Sequence, residues 1–381
     1  MLPIFLMNFL FAVSTTIGMS FLPLLVTESL GMSMVVLGII EGGSEFASNI
    51  LRLITGNLFD RTRSKRLLFV VPAALAFVSK FILLLPNTLT IVLSKMAERS
   101  SNGAFAAPRD AYIGEHSTSK GKSLGISSSV KTFGCIVGPA IVSASTIFGP
   151  LQENIVVIIV IACLVNVLAF LLSLTIDIKK KIIIAKIEEF NFVELKNTCK
   201  HLLPIFILSI IFFLGRFNDG IIMIFLRNSG FPEWYYLATI SFFNSVMMII
   251  SPFLGYWIDK KRDYQILLLT ITALLGFNIL FFQPFNTISL LGASLGIICW
   301  GIQRAGAQIT FSSLIFKNTP RKFYGSAIGI YSVLSGGSIF IASMFSGYLA
   351  QISFNYIFLS SGFFSLISLL LAVYMYRRKY I

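Results

Sequence analysis

The chain has 381 residues, of which 56% are hydrophobic and only 12% charged, against the roughly 25% charge of a soluble domain. With a mean hydropathy of +0.86 it cannot cover a globule with polar groups, so lipid must be the solvent for most of it. The net charge of +14 does not point to nucleic acid, because the bases collect in short segments between apolar runs, as in the cytoplasmic loops of membrane proteins.

A spanning helix needs roughly 20 apolar residues. Runs of that length fall at 2–26, 32–58, 67–86, 88–107, 123–148, 153–177, 202–228, 232–258, 264–283, 287–315, 322–350 and 353–376. The first lacks a basic leader and a small-residue cleavage site, and so reads as a spanning helix rather than a signal peptide. Charge-poor turns such as Gly31 and Gly149-Pro150 alternate with basic segments at 59–66, 108–122, 178–201, 259–263, 316–322 and 377–381. The predicted fold class is therefore an all-α membrane protein of twelve transmembrane helices. An even count with basic loops on one side predicts both termini in the cytoplasm, and the cell inner membrane as the location.

The chain repeats itself. Gly56, Asp60 and Arg61 begin a polar stretch that ends at Arg66, and 199 residues later Gly255 and Asp259 begin another that runs through Lys260-Lys261-Arg262. Gly121, Gly125 and Ser128 are matched by Gly325, Gly329 and Ser332. The expected halves are 1–178 and 202–381, with 179–201 as a cytoplasmic linker, since parallel six-helix repeats are one known transporter plan.

Within the runs lie seven bases (Arg52, Lys80, Lys95, Arg99, Lys131, Arg216, Arg304) and four acids (Glu41, Glu45, Glu98, Asp219). Ionisable groups in a membrane helix are costly, and they face the bundle interior or a wet cavity. Glu41 and Glu45 lie one turn apart on one helix face, a spacing that discourages both from ionising in low dielectric. They and Asp219 are the proton-coupling candidates. The alternative is fixed pairing, of Glu41 or Glu45 with Lys80 or Arg52, and of Arg216 with Asp219 three residues along the same face. Arg304 has no acid within a helical turn.

The order Gly-x-x-x-Asp-Arg at Gly56–Arg61 resembles the loop 2–3 signature of the major facilitator superfamily. Gly38-Ile39-Ile40-Glu41-Gly42-Gly43-Ser44-Glu45 resembles a Gly-Leu-Ile-Glu-Gly-x-x-Glu run in helix 2 of one bacterial branch. Ala107-Pro108-Arg109-Asp110-Ala111 and Gly215-Arg216-Phe217-Asn218-Asp219 are similar to its loop 4–5 and helix 7. The chain departs from that branch at Asn102 and Phe105, where bases are usual, and at Lys131, where an acid is usual. Gly134-x-x-x-Gly138-Pro139 matches only the front of the antiporter motif.

The resemblance implies two pseudo-symmetric six-helix bundles that rock about a central site by alternating access, with helices 1, 4, 7 and 10 lining the cavity. Arg99 and Glu98, Arg216 and Asp219, and Arg304 with Trp300 would then be the substrate-binding candidates. Arg grips carboxylate and phosphate bidentately, which suggests a small organic solute, with an anion favoured. The expected partners are that small-molecule substrate, a proton or other coupling ion, and the lipid bilayer, with the protein a monomer. Gly56, Asp60, Arg61, Arg109, Gly255 and Asp259 are implied as gating residues, the glycines allowing close helix approach.

Proton-driven multidrug efflux, and a non-transporting membrane receptor or scaffold, remain the alternative readings. The chain has no Walker A run, HExxH or nucleophile elbow, so no enzyme is expected. Four cysteines without paired spacing predict neither a disulfide framework nor a metal site, and no cofactor is implied.

Overall fold

The computed structural model describes residues 1–61, 65–85, 87–117, 120–176, 192–283, 288–320 and 323–378. Among these residues there are thirteen α-helices and no strand. The N-terminal bundle comprises α1 (Leu2–Leu24, continued by a π-helical turn Leu25–Ser29), α2 (Met34–Arg61), α3 (Leu67–Ile82), α4 (Thr88–His116), α5 (Lys120–Ser145) and α6 (Leu151–Leu174). The C-terminal bundle comprises α7 (Phe192–Leu214), α8 (Asp219–Asn228), α9 (Glu233–Asp259), α10 (Asp263–Phe281), α11 (Leu290–Lys317), α12 (Tyr324–Ile352) and α13 (Phe354–Arg377).

α7 and α8 together make the seventh span, so the spans number twelve. Nine stretches among the described residues are long and apolar enough to cross a membrane by themselves. α3 is apolar but has only 16 residues. α4 and α11 are long but carry charges that their neighbours must satisfy, because lipid cannot.

The packing of one half reappears in the other. α1 packs on α5 and α6 as α7 packs on α12 and α13. α4 sits between α2 and α3 as α11 sits between α9 and α10, and α3 packs on α6 as α10 packs on α13. The bundles meet through two equivalent pairs, α2 against α12 and α5 against α9. The first crossing is tight enough to require glycine: a Cβ on Gly38 would run into the Ser343 carbonyl, and one on Gly347 into that of Met34.

Several boundaries differ from those read in the sequence. Gly56–Arg61 belongs to the last turns of α2 and Gly255–Asp259 to those of α9, so the repeated signature caps helices and the loops begin after it. A single glycine costs a helix only about 1 kcal/mol, too little to end one backed by tertiary contacts. Pro108 likewise lies inside α4. The expected linker falls largely outside the described residues, and its last part, from Phe192, is already α7.

The seventh span, read as one run, is broken at Gly215–Asn218. The Gly215 carbonyl left free there accepts from the Ser361 hydroxyl. The Asn218 side chain accepts the Gly220 N–H at 2.7 Å and caps α8.

Because the spans alternate in direction, the N-terminus, the end of α13 and the described parts of the basic segments share one end of the molecule. The far end is closed by contacts between the bundles. Glu28 pairs with Arg227, and the Glu233 carboxylate accepts the Leu151 N–H at 3.3 Å. Ser143 and Ser241 donate to the carbonyls of Trp234 and Ile136 at 2.8 and 2.6 Å.

Candidate functional site

Between the bundles lies a cavity of about 410 Å³. Its lining runs from the helix midpoints toward the terminal end: Asn8 to Met19 on α1, Glu41 to Arg52 on α2, Arg99 to Arg109 on α4, and Ser128 to Cys135 on α5. The C-terminal bundle adds Arg216–Asp219, Asn244, Arg304 and Tyr331, among others. No lining residue comes from the far-end turns of these helices, so the cavity opens toward the end that carries the termini.

Two carboxylate–base steps hold α2 to α4. Lys95 and Arg99 are one turn apart on α4, as Glu41 and Glu45 are on α2. Lys95 Nζ lies 2.7 Å from Glu41 Oε1, and Arg99 Nη1 lies 3.2 Å from Glu45 Oε2. Each of the two acids therefore faces its own base. Their partners are neither Lys80 nor Arg52. Lys80 is 2.5 Å from Glu98 in a sealed site, and Arg52 reaches Asp110 at 3.5 Å.

The two steps differ in wetness. Lys95 is fully buried, whereas the Glu45 side chain is 39% exposed to the cavity. Glu45 also lies within the field of Arg216 and Arg304 from the opposite bundle and of Lys131 on α5.

On the C-terminal side Arg304 takes Asp219, with Nη1 2.6 Å from Oδ1. The Trp300 indole donates to the same oxygen at 2.9 Å, and Phe243 lies under the guanidinium with its ring centroid 4.9 Å away. This reverses the pairing expected from spacing. Arg216 is three residues from Asp219 but sits on the unwound segment, so the helical i,i+3 geometry that would join them is absent. Arg216 lines the cavity with its guanidinium 6.0 Å from the Phe213 ring, and among the described residues it forms no ion pair.

The expected site residues divide accordingly. Arg99, Arg216, Asp219 and Arg304, with Glu41 and Glu45, line the cavity. Glu98 and Trp300 do not. Glu98 faces Lys80 behind α4, and Trp300 is fully buried, holding Asp219 from behind. Of the gating residues, Arg109 lines the cavity near its mouth and bonds Asp110 Oδ1 at 2.9 Å and Asn8 Oδ1 at 2.7 Å.

Gly56 packs against Ala107 of α4 at ordinary contact distance. Among the described residues nothing lies within 4 Å of a Cβ added at Gly255, so the expected close approach there is not made by any of them. Asp259 is exposed at the end of α9. The side chains of Asp60 and Arg61 lie outside the described residues.

The site residue that sequence reasoning did not place is Lys131. It lines the cavity one turn from Cys135, is exposed to it, and forms no ion pair among the described residues. Its signals in the sequence were a base inside an apolar run and one standing where the resembling branch has an acid.

Cys135 is the one cysteine in the lining, which makes the cavity's charge measurable. In a chain with Cys163, Cys199 and Cys299 changed to serine, an anionic thiosulfonate should modify Cys135 roughly tenfold faster than a cationic one of similar size, because a cleft lined by one sign of charge concentrates the opposite ion. Equal rates, read by mass spectrometry, would argue against a cationic cavity.

A sequence profile described as Major Facilitator Superfamily matches residues 4–343. An uncharacterised MFS-type transporter of Methanocaldococcus jannaschii is 27% identical over 379 residues, covering 97% of this chain and 92% of that protein. The fold is similar to that of the nucleoside transporter NupG, with a TM-score of 0.78 at 14% identity over 99% of this chain and 98% of that one. It is also similar to a D-xylose–proton symporter, with a TM-score of 0.73 at 14% identity over 98% and 96%. Twelve spans in two bundles of matching packing, a charged cavity between them and a profile match over most of the chain have one reading. The protein is a multi-pass membrane transporter of small molecules and belongs to the major facilitator superfamily.

Proposed function

We propose that the protein is a secondary transporter of a small organic anion, working by alternating access, with the termini and the cavity mouth on the cytoplasmic side. The observation that carries this reading is the pair of bases, Arg216 and Lys131, that line the cavity without a carboxylate partner among the described residues. An unpaired cation is costly to keep in a membrane interior, and an anionic ligand would remove that cost. Arg216 and Lys131 supply the unpaired positive charge that draws the ligand's carboxylate or phosphate into the cavity. Arg99 and Arg304 stand beside it, each already oriented by its own acid. An excess of bases suits an anion and disfavours the cationic drugs of multidrug efflux.

Glu45 is the coupling candidate. Glu41 is held by a buried lysine and Asp219 by both Arg304 and Trp300, which leaves Glu45 as the most accessible of the three acids. A ligand anion beside Arg99 competes with Glu45 for that guanidinium, so Glu45 loses its nearest counter-charge and can accept a proton. Counterflow into proteoliposomes tests the reading. Carboxylates or phosphate esters should exchange and neutral sugars or organic cations should not. A Glu45→Gln variant should still exchange anions while losing the response to a pH gradient. Exchange of neutral or cationic solutes alone would overturn it.

A further inference from the structure

The end of the C-terminal bundle that carries the chain terminus holds a group of bases that plays no part in the cavity. α9 closes with the Lys261 N–H bonded to the Ile258 carbonyl at 2.8 Å and the Arg262 N–H to the Trp257 carbonyl at 3.1 Å. This closure needs a left-handed residue, a place usually taken by glycine. Here Lys261 adopts it, with φ of 59°. The chain therefore keeps a lysine at a position where lysine is strained and glycine is not, and strain of that kind is a pointer to function.

Two residues past Arg262, Tyr264 stacks on Tyr376 of α13, with ring centroids 3.8 Å apart and planes at 11°. Arg377 and Arg378 follow Tyr376 directly. The stack thus brings two basic runs together: Lys260, Lys261 and Arg262 with Arg377 and Arg378. All five are exposed, and none forms an ion pair among the described residues. Asp263, the acid inside the group, is turned inward and held by Lys317 and by Ser313 at 2.8 Å. Asp259 is the one exposed acid nearby.

Two exposed stripes lead into this group. On α9, Ile249, Phe253, Tyr256 and Lys260 follow at helical spacing. On α13, Phe363, Leu366, Leu370, Tyr374 and Arg377 do the same. Their apolar members are 49–63% exposed, and the tyrosines 56% and 53%. Each stripe runs from hydrocarbon-facing side chains through an interfacial tyrosine to a base, the order in which a phospholipid presents acyl chain, glycerol and phosphate. Lys260 Nζ lies 4.4 Å from the Tyr256 ring centroid, which holds the ammonium at that boundary.

We infer that Lys260, Lys261, Arg262, Arg377 and Arg378, joined by the Tyr264–Tyr376 stack, form a binding site for the headgroup of an anionic phospholipid. A soluble phosphate would have no use for the adjoining apolar stripes. The site is separate from the central cavity and does not depend on what that cavity carries.

The test uses the full chain in nanodiscs of phosphatidylcholine with and without phosphatidylglycerol. Bound lipid is counted by native mass spectrometry, and Tm is measured alongside. Phosphatidylglycerol should be retained selectively and should raise Tm. At about fivefold per base near the surface, a Lys260→Gln/Lys261→Gln/Arg262→Gln variant should retain it on the order of 100-fold less well. Lys261→Gly should raise Tm in phosphatidylcholine alone while weakening the selectivity. The proposal is overturned if the two lipids are retained equally, or if either variant keeps the full selectivity. It is also overturned if glycerol phosphate displaces phosphatidylglycerol in detergent, which would make the site one for soluble anions.

Discussion

Glu98→Gln should lower the stability of the folded protein by about 3–5 kcal/mol, the usual cost of removing one partner from a buried ion pair. Lys80 and Glu98 are 1% and 3% exposed and lie 2.5 Å apart. Without the carboxylate, the Lys80 ammonium is sealed behind α4 with a second cation, Lys95, in its field. Lys80→Met in the same chain should restore most of the loss, because an apolar or neutral pair of similar size often substitutes for a buried ion pair at little cost.

The C-terminal bundle does without a charge at the matching position. Glu98-Arg99 on α4 corresponds to Gln303-Arg304 on α11, 205 residues later, and Gln303 is fully buried without a charge. Unfolding of the purified variants in detergent would settle the matter. A single variant as stable as the parent, or a double variant worse than the single, would show that the pair is not what holds α3 to α4. Either way Glu98 acts from behind the cavity wall, and its loss should reach transport through stability.

Arg216→Gln should do the opposite, leaving Tm close to that of the parent while weakening anion binding by roughly 10- to 150-fold, the range for a lost hydrogen bond to a charged group. Arg216 forms no ion pair among the described residues, and Asp219 keeps Arg304 and Trp300 without it. Removing it therefore strands no buried charge. Arg304→Gln is the instructive contrast: it strips Asp219, 8% exposed, of its cation, and so should cost stability as well as transport. Measuring counterflow and Tm on both variants separates a binding role from a structural one. Normal transport by Arg216→Gln would remove the anion reading.

Much of this protein is legible in its residues because lipid is an unforgiving solvent. Every span must be a run of apolar residues long enough to cross, the loops carry most of the remaining charge, and the repeated signature marks the two halves. The twelve spans, their pairing into halves and the short stock of interior charges all follow from that. Helix ends are less legible. Residues 59–61 and 108–116 read as parts of loops but continue α2 and α4, where contacts with neighbouring helices outweigh local preference.

Which interior charge meets which was decided only in three dimensions. Spacing along the chain assigned Asp219 to Arg216, but that assignment assumed a continuous helix. The span unwinds at Gly215–Asn218, Arg216 swings onto the cavity wall, and Asp219 goes to a guanidinium 85 residues away on another helix. Glu41 and Glu45 likewise found bases on α4 rather than one another. Such pairs depend on which helix faces are neighbours. The chain's apolar pattern says that charges must be satisfied inside but does not say across which crossing, and that choice belongs to the packing of the two bundles.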